Sequence, residues 1–241
     1  MAPRRTPPPE VEHLPWPAFV QQFTWAQGEH VSCIGPTGGG KTTLALELIQ
    51  ARAERSPHWF SAVIATKPAD PLLSKVARRK DWALVRKWPP PYGTQRVIVW
   101  PRWRGRQDNA AQAAAVRHAL DKMMEAGHWC CLMDEVAYAV RKLGLDGDLR
   151  DWWQQGRSMG LTLVGLTQRP AYVPLDMYSQ PTHLFFWRST DRDDLRRISG
   201  VGGLDPEPIR AAVSTLPTHH VLYVDTRTGR MLRTVAERTI T

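Results

Sequence analysis

The chain has 241 residues, room for one sizeable α/β domain and too few for two. Its hydrophobic content of 42% excludes a disordered polymer. No run of about 18 apolar residues suggests a membrane-spanning helix. The formal charge is +9, and residues 67 to 106 carry the whole excess, with eleven basic side chains against Asp70 and Asp81. One basic zone on a neutral body suits an acidic polymer or a membrane surface and argues against a histone-like protein.

Residues 1 to 12 are Pro-rich and are expected to form a flexible arm, leaving 13 to 241 as a single domain. The opening MAPRRTPPPE lacks the apolar core of a secretory signal. With Cys33, Cys130 and Cys131 all in apolar runs, it gives the expectation of a reduced, cytoplasmic protein with buried thiols. Trp16, Phe19, Phe23 and Trp25 are spaced to pack a short element onto the core. A strand-then-helix rhythm follows. Strands are predicted at His30 to Ile34, Trp59 to Ala65, Arg96 to Trp100, Trp129 to Met133, Leu161 to Leu166 and His183 to Trp187. Helices are predicted at Thr42 to Arg55, Pro71 to Val85, Asn109 to Ala126, Leu149 to Met159 and Asp191 to Ile198. Val221 to Val224 and Met231 to Val235 flank Thr228-Gly229 as a terminal β-hairpin. Such alternation predicts a mostly parallel sheet with helices on both faces, whose ligands sit at the carboxyl ends of its strands.

Gly35-Pro36-Thr37-Gly38-Gly39-Gly40-Lys41-Thr42 satisfies G-x-x-x-x-G-K-[ST] at every position, between a predicted strand and a predicted helix. Glycines let backbone N–H groups turn inward around phosphate oxygens. The helix start directs its positive end at them. Lys41 is expected on the β and γ oxygens of ATP and the Thr42 hydroxyl on Mg²⁺, with Thr43 completing the nucleotide-binding stretch. The buried strand CCLM ends in Asp134 and Glu135. Asp134 is expected to hold Mg²⁺ through its water shell, and Glu135 to polarise the attacking water. The bland alternative is a pair of acids decorating a helix N-terminus. Leu163 to Pro170 is a strand running into Thr167-Gln168-Arg169-Pro170. In an additional-strand P-loop ATPase, a polar residue at such a tip contacts the γ-phosphate and water, and Gln168 is the candidate.

GPTGGGKTT, CCLMDE and QQGRSMGLTLVGLTQRP together resemble the FtsK–HerA superfamily of DNA-pumping ATPases. The resemblance spans roughly residues 28 to 200. It implies a RecA-like core of the additional-strand class, a homo-oligomeric ring, usually of six subunits, and ATP-driven movement of double-stranded DNA. It carries Lys41, Thr42, Asp134, Glu135 and Gln168 into the roles above and makes Arg157 the trans-acting arginine finger. Arg188, Arg192, Arg196 and Arg197 compete for that role, and Arg169 is a structural alternative. The bare motor is most similar to the genome-packaging ATPases of tailless icosahedral viruses with an internal membrane. That reading implies a host-cytoplasmic or virion-vertex location and a capsid-vertex or portal partner. For the DNA grip, the loop Arg102, Trp103, Arg104 and Arg106 is the first candidate, and Lys75, Arg78, Arg79 and Lys80 the second. Trp103 is open to two readings, stacking on nucleic acid or packing on its own domain. Ala171 to Gln180 is a further candidate pore loop. A plasmid or conjugative DNA-transfer ATPase, or an assembly or secretion ATPase acting on protein, stays open as an alternative. A small-molecule kinase leaves Asp134-Glu135 and the Gln-Arg-Pro strand end without a purpose.

Overall fold

The structure, a computed structural model, describes residues 11–56, 58–198, 201 and 203–237. Most of the expected Pro-rich arm therefore lies outside the described residues. In chain order the elements are β1 (Glu12–His13), α1 (Trp16–Gln22), β2 (Val31–Ile34), α2 (Lys41–Arg55), β3 (Phe60–Ile64), α3 (Pro71–Val76), β4 (Ala83–Val85), β5 (Arg96–Val99), α4 (Asn109–Ala126), β6 (Trp129–Met133), α5 (Val136–Leu143), α6 (Asp146–Gln155), β7 (Thr162–Thr167), α7 (Asp176–Ser179), β8 (His183–Trp187), α8 (Arg192–Arg197), α9 (Pro206–Thr215), β9 (Val221–Asp225) and β10 (Met231–Thr234).

All the strands join one sheet in the order β1-β10-β9-β8-β2-β7-β6-β3-β5-β4. From β8 to β4 every neighbour is parallel. The hairpin β9–β10 extends this sheet, with β9 antiparallel to both β8 and β10. Its central strands are buried on both faces, so their residues alternate between two cores. Cys131 and Met133 point with Ile34, Ile64 and Phe186 into the layer under α4, α5, α6 and α9. Cys130 and Leu132 point with Cys33, Val63 and Phe185 into the layer under α1, α2 and α3. All three thiols are buried, and burial pushes each of their pKa values up. The early aromatic cluster belongs to the second layer, where Phe19 and Phe23 stack against each other and meet Phe185 and Tyr223 edge-on. Among the described residues, no helix is long and apolar enough to cross a membrane.

Three expected elements differ. The helix predicted over Pro71 to Val85 ends at Val76, and Ala83–Val85 is an edge strand. Asp70 starts that helix by accepting from Leu72 and Leu73 N–H. Its continuation is replaced by a turn in which Asp81 pairs with Arg79 and Arg96. The helix over Leu149 to Met159 starts earlier, at Asp146, and tightens to a 3₁₀ turn from Gly156. The candidate pore loop Ala171 to Gln180 contains α7, with Met177 and Tyr178 fully buried, so half of it belongs to the core.

Candidate active site

The phosphate loop leaves the carboxyl end of β2, the strand flanked by β7 and β8. Gly38 and Gly40 take φ of 79° and 96°, a region that side chains strain. Gly35 and Gly39 meet a different demand. A Cβ on either would lie 2.4 Å from Trp187 Cβ or 2.9 Å from Trp187 Cδ1. The last residue of β8 is therefore a floor that seats the loop. α2 begins at Lys41 without any side-chain cap, so its first N–H groups remain open to an anion. Lys41 is 6% exposed, and its Nζ donates to the Gly35 and Pro36 carbonyls, each at 2.7 Å. Burial lowers its pKa from 10.5 to about 8, against the opposing pull of Glu135.

The two acids end β6, two strands from the loop. Asp134 is buried, and its Oδ1 accepts from Thr66 N–H at 3.0 Å and Thr66 Oγ1 at 2.6 Å. Its Oδ2 is buried without a hydrogen bond, 3.7 Å from Lys67 Nζ. Burial raises its pKa, opposed by Lys67 and Thr66. Glu135 occupies the N-cap position of α5 but makes no side-chain cap. It therefore starts the helix without capping it through its side chain. Its carboxylate instead accepts from Thr167 Oγ1 at 3.3 Å and Gln168 N–H at 3.4 Å. Burial raises its pKa as well. Gln168 tips β7, between β2 and β6, and its Oε1 accepts from Thr37 Oγ1 at 2.5 Å. Thr37, Gln168 and Glu135 thus form one hydrogen-bonded line from the phosphate loop to the acids. A cleft of about 550 Å³ opens beside it, lined by Gly35, Thr37, Gln168, Arg169, Arg188 and Asp191 among others.

Solved structures share this architecture. The genome packaging NTPase B204 of Sulfolobus turreted icosahedral virus 2, in complex with sulfate, is 16% identical, covers 85% of this chain and 95% of its own, and superposes with a TM-score of 0.61. VirB4 of Thermoanaerobacter pseudethanolicus is 11% identical over 86% of this chain and 89% of its own, with a TM-score of 0.67. The cytoplasmic domain of the type VII secretion ATPase EccC of Thermomonospora curvata is 19% identical over 88% of this chain and 26% of its own, with a TM-score of 0.55. The fold is that of the RecA-like P-loop ATPases. It is consistent with the FtsK–HerA resemblance that the motifs carry. No family model and no curated protein matches the sequence itself.

In this P-loop ATPase fold the remaining candidates are spread over both edges of the sheet. Arg157 precedes β7 and packs its backbone against Gly28, just ahead of β2. It is exposed and sits at the amino edge, a full strand length of roughly 20 Å from its own phosphate loop. Among its competitors, Arg188 lines the cleft beside Thr37. Arg197 donates to the Ala171 carbonyl, and Arg196 pairs with Asp193. Arg192 is exposed on α8, while Arg169 lines the cleft.

The two basic groups are not brought together. Arg102, Arg104 and Arg106 follow β5 at the carboxyl edge, the same edge as the acids and two strands from β6. They are exposed; the Arg104 backbone N–H donates to Asp108 at 2.7 Å, but none of the three guanidinium groups pairs with another described residue. Trp103 is half-buried, and its indole donates to Asn109 at 2.8 Å, so it packs on its own domain. Arg78, Arg79 and Lys80 precede β4 and so lie at the opposite edge, with Arg79 held by Asp81 and Lys75 in the last turn of α3. The single basic zone of the sequence splits because its strands and α3 traverse the sheet's full height. Trp187, Thr66 and Lys67 escaped the sequence reading. Lys67 was counted there only as charge, and no motif spacing links either β3 or β8 to the phosphate loop.

Proposed function

We propose that this chain hydrolyses ATP and uses the energy to move double-stranded DNA as a homo-oligomeric ring, with viral genome packaging as the process. The observation that carries the ATPase reading is the line from Thr37 through Gln168 to Glu135, laid beside an uncapped helix start. Lys41 and the open N–H groups of α2 bind the phosphates. Gln168 holds the space between the γ-phosphate and Glu135, where an attacking water fits, and Glu135 accepts its proton. The raised pKa of Glu135 brings its basicity closer to working pH.

The residues fit Mg²⁺. The buried Asp134 Oδ2 has an unused acceptor, and Thr42 opens the helix on the phosphate side. Mg²⁺ takes most of its shell from phosphates and water, so these two suffice. When bound, the ion neutralises charge that develops on the phosphates.

Three exposed, unpaired arginines at the same edge support a duplex substrate gripped through its phosphates. Arg157 supports the ring: it cannot reach its own phosphate loop, and a neighbour's loop gives it an acceptor. The B204 likeness favours packaging, whereas the EccC likeness supports the second reading, a secretion motor with the same chemistry. A capsid-vertex or portal protein is the partner that packaging requires, and host cytoplasm or virion vertex the location. The test is Glu135→Gln. ATP affinity stays within about threefold of wild type while turnover falls by about 10²-fold or more. Turnover near the wild-type rate removes Glu135 from the chemistry.

A further inference from the structure

The basic loop and the metal-side carboxylate are joined through two successive peptide carbonyls, those of Thr66 and Lys67, just past the tip of β3. Trp100, the residue that leads into the loop, donates its indole N–H to the Lys67 carbonyl at 2.7 Å. Gln112, one turn past the loop on α4, donates its amide to the Thr66 carbonyl at 3.0 Å. Both acceptors belong to the pair of residues that holds Asp134, Thr66 by two hydrogen bonds to Oδ1 and Lys67 by charge near Oδ2. Gln112 also accepts from Tyr138 on α5, the helix that follows Glu135, and Tyr138 reaches Asn109, which holds Trp103. Trp100, Gln112, Thr66 and Asp134 are each at least nine-tenths buried. Buried hydrogen bonds of this kind are stiff and costly to leave unmade.

The loop therefore enters and leaves through side chains fixed to the same two residues. A shift of the loop on binding a phosphate backbone is passed to Thr66 and Lys67, and from them to the carboxylate. Mg²⁺ demands near-ideal octahedral geometry, so small movements of Asp134 matter to it.

We propose that Trp100 and Gln112 are positioning residues that couple polyanion occupancy of the Arg102–Arg106 loop to ATP turnover at Asp134. The proposal rests on the DNA reading above and adds its route of regulation. Neither residue carries charge or lines the cleft beside the phosphate loop, and each acts on Asp134 only through Thr66 and Lys67.

The experiment uses the full chain with Trp100→Phe, which keeps a ring and deletes one N–H, and Gln112→Met, which keeps the volume and deletes both contacts. Four quantities are measured on each: thermal melting, duplex DNA affinity by fluorescence anisotropy, basal ATP turnover, and turnover at saturating duplex. The expected result is DNA affinity and basal turnover within about twofold of wild type, with stimulation by DNA reduced about fivefold or more. Undiminished stimulation in both variants overturns the relay. A parallel fall in DNA affinity and stimulation also overturns it, because the contacts would then only shape the loop. If wild type neither binds nor responds to duplex, the DNA reading itself has failed. Trp100→Phe decides the matter if Gln112→Met does not fold.

Discussion

Lys41 makes nucleotide affinity depend on pH in a way that the geometry sets. Its ammonium is buried under the phosphate loop, bonded to two carbonyls rather than to a carboxylate, and burial lowers its pKa to about 8. Phosphates favour the charged form, so in the complex its pKa lies well above that. Below pH 8 the side chain is charged before and after binding, and affinity is flat. Above pH 8 binding must take up a proton, and affinity falls as pH rises. A group with a pKa of about 8 is about nine-tenths charged at pH 7 and one-tenth at pH 9, so Kd should rise about tenfold across that interval. Titration calorimetry with a non-hydrolysable ATP analogue measures both the Kd and, from buffers of different ionisation enthalpy, the proton uptake. Lys41→Arg keeps its charge throughout, so its profile should be flat even if its affinity is lower. A flat wild-type profile, or an equal slope in Lys41→Arg, refutes the assignment.

Gly35→Ala places a Cβ 2.4 Å from Trp187 Cβ, where neither atom is the free end of a side chain. It should destabilise the protein by about 1–3 kcal/mol in thermal or urea unfolding and weaken nucleotide binding. An unchanged melting temperature contradicts the seating role of Trp187. Arg157→Ala should lose turnover and keep ATP affinity, and mixing it with Lys41→Ala subunits should restore part of the activity, because each supplies what the other lacks across an interface. No recovery on mixing removes the trans assignment. Neutralising Arg102, Arg104 and Arg106 together should weaken duplex binding and lower its salt slope by about three, while basal turnover stays within about twofold. Equal loss of both would place the loop in the engine rather than the grip.

Local chemistry was legible in the sequence, and relations across the sheet were not. The phosphate loop, the acids ending β6 and Gln168 ending β7 each announce themselves by a strand running into polar residues, and the fold brings all three to one edge. α4 and β6 match their predicted bounds because Ala-rich and fully apolar runs leave little choice of conformation. α5 and α9 carried signals that went unread. Val136, Ala139 and Leu143 recur at helical spacing before Gly144 in the left-handed region, and Asp205 caps a helix whose next residue is Pro206. Other features had no local signal. A parallel sheet sends a single run of basic residues to opposite edges, so charge in sequence did not predict charge in space. Trp187 lies about 150 positions from the glycines it supports, and Trp100 and Gln112 contact Thr66 and Lys67 through tertiary hydrogen bonds that no periodicity encodes.

The central claim is a motor driven by ATP and gripping a phosphate backbone beside its own active edge. ATP turnover with and without duplex DNA, over a series from about 50 to 200 mM salt, tests it most directly. Turnover should rise with duplex, and the duplex concentration for half-stimulation should increase steeply with salt while basal turnover barely changes. Turnover that ignores duplex DNA at every salt concentration contradicts the claim.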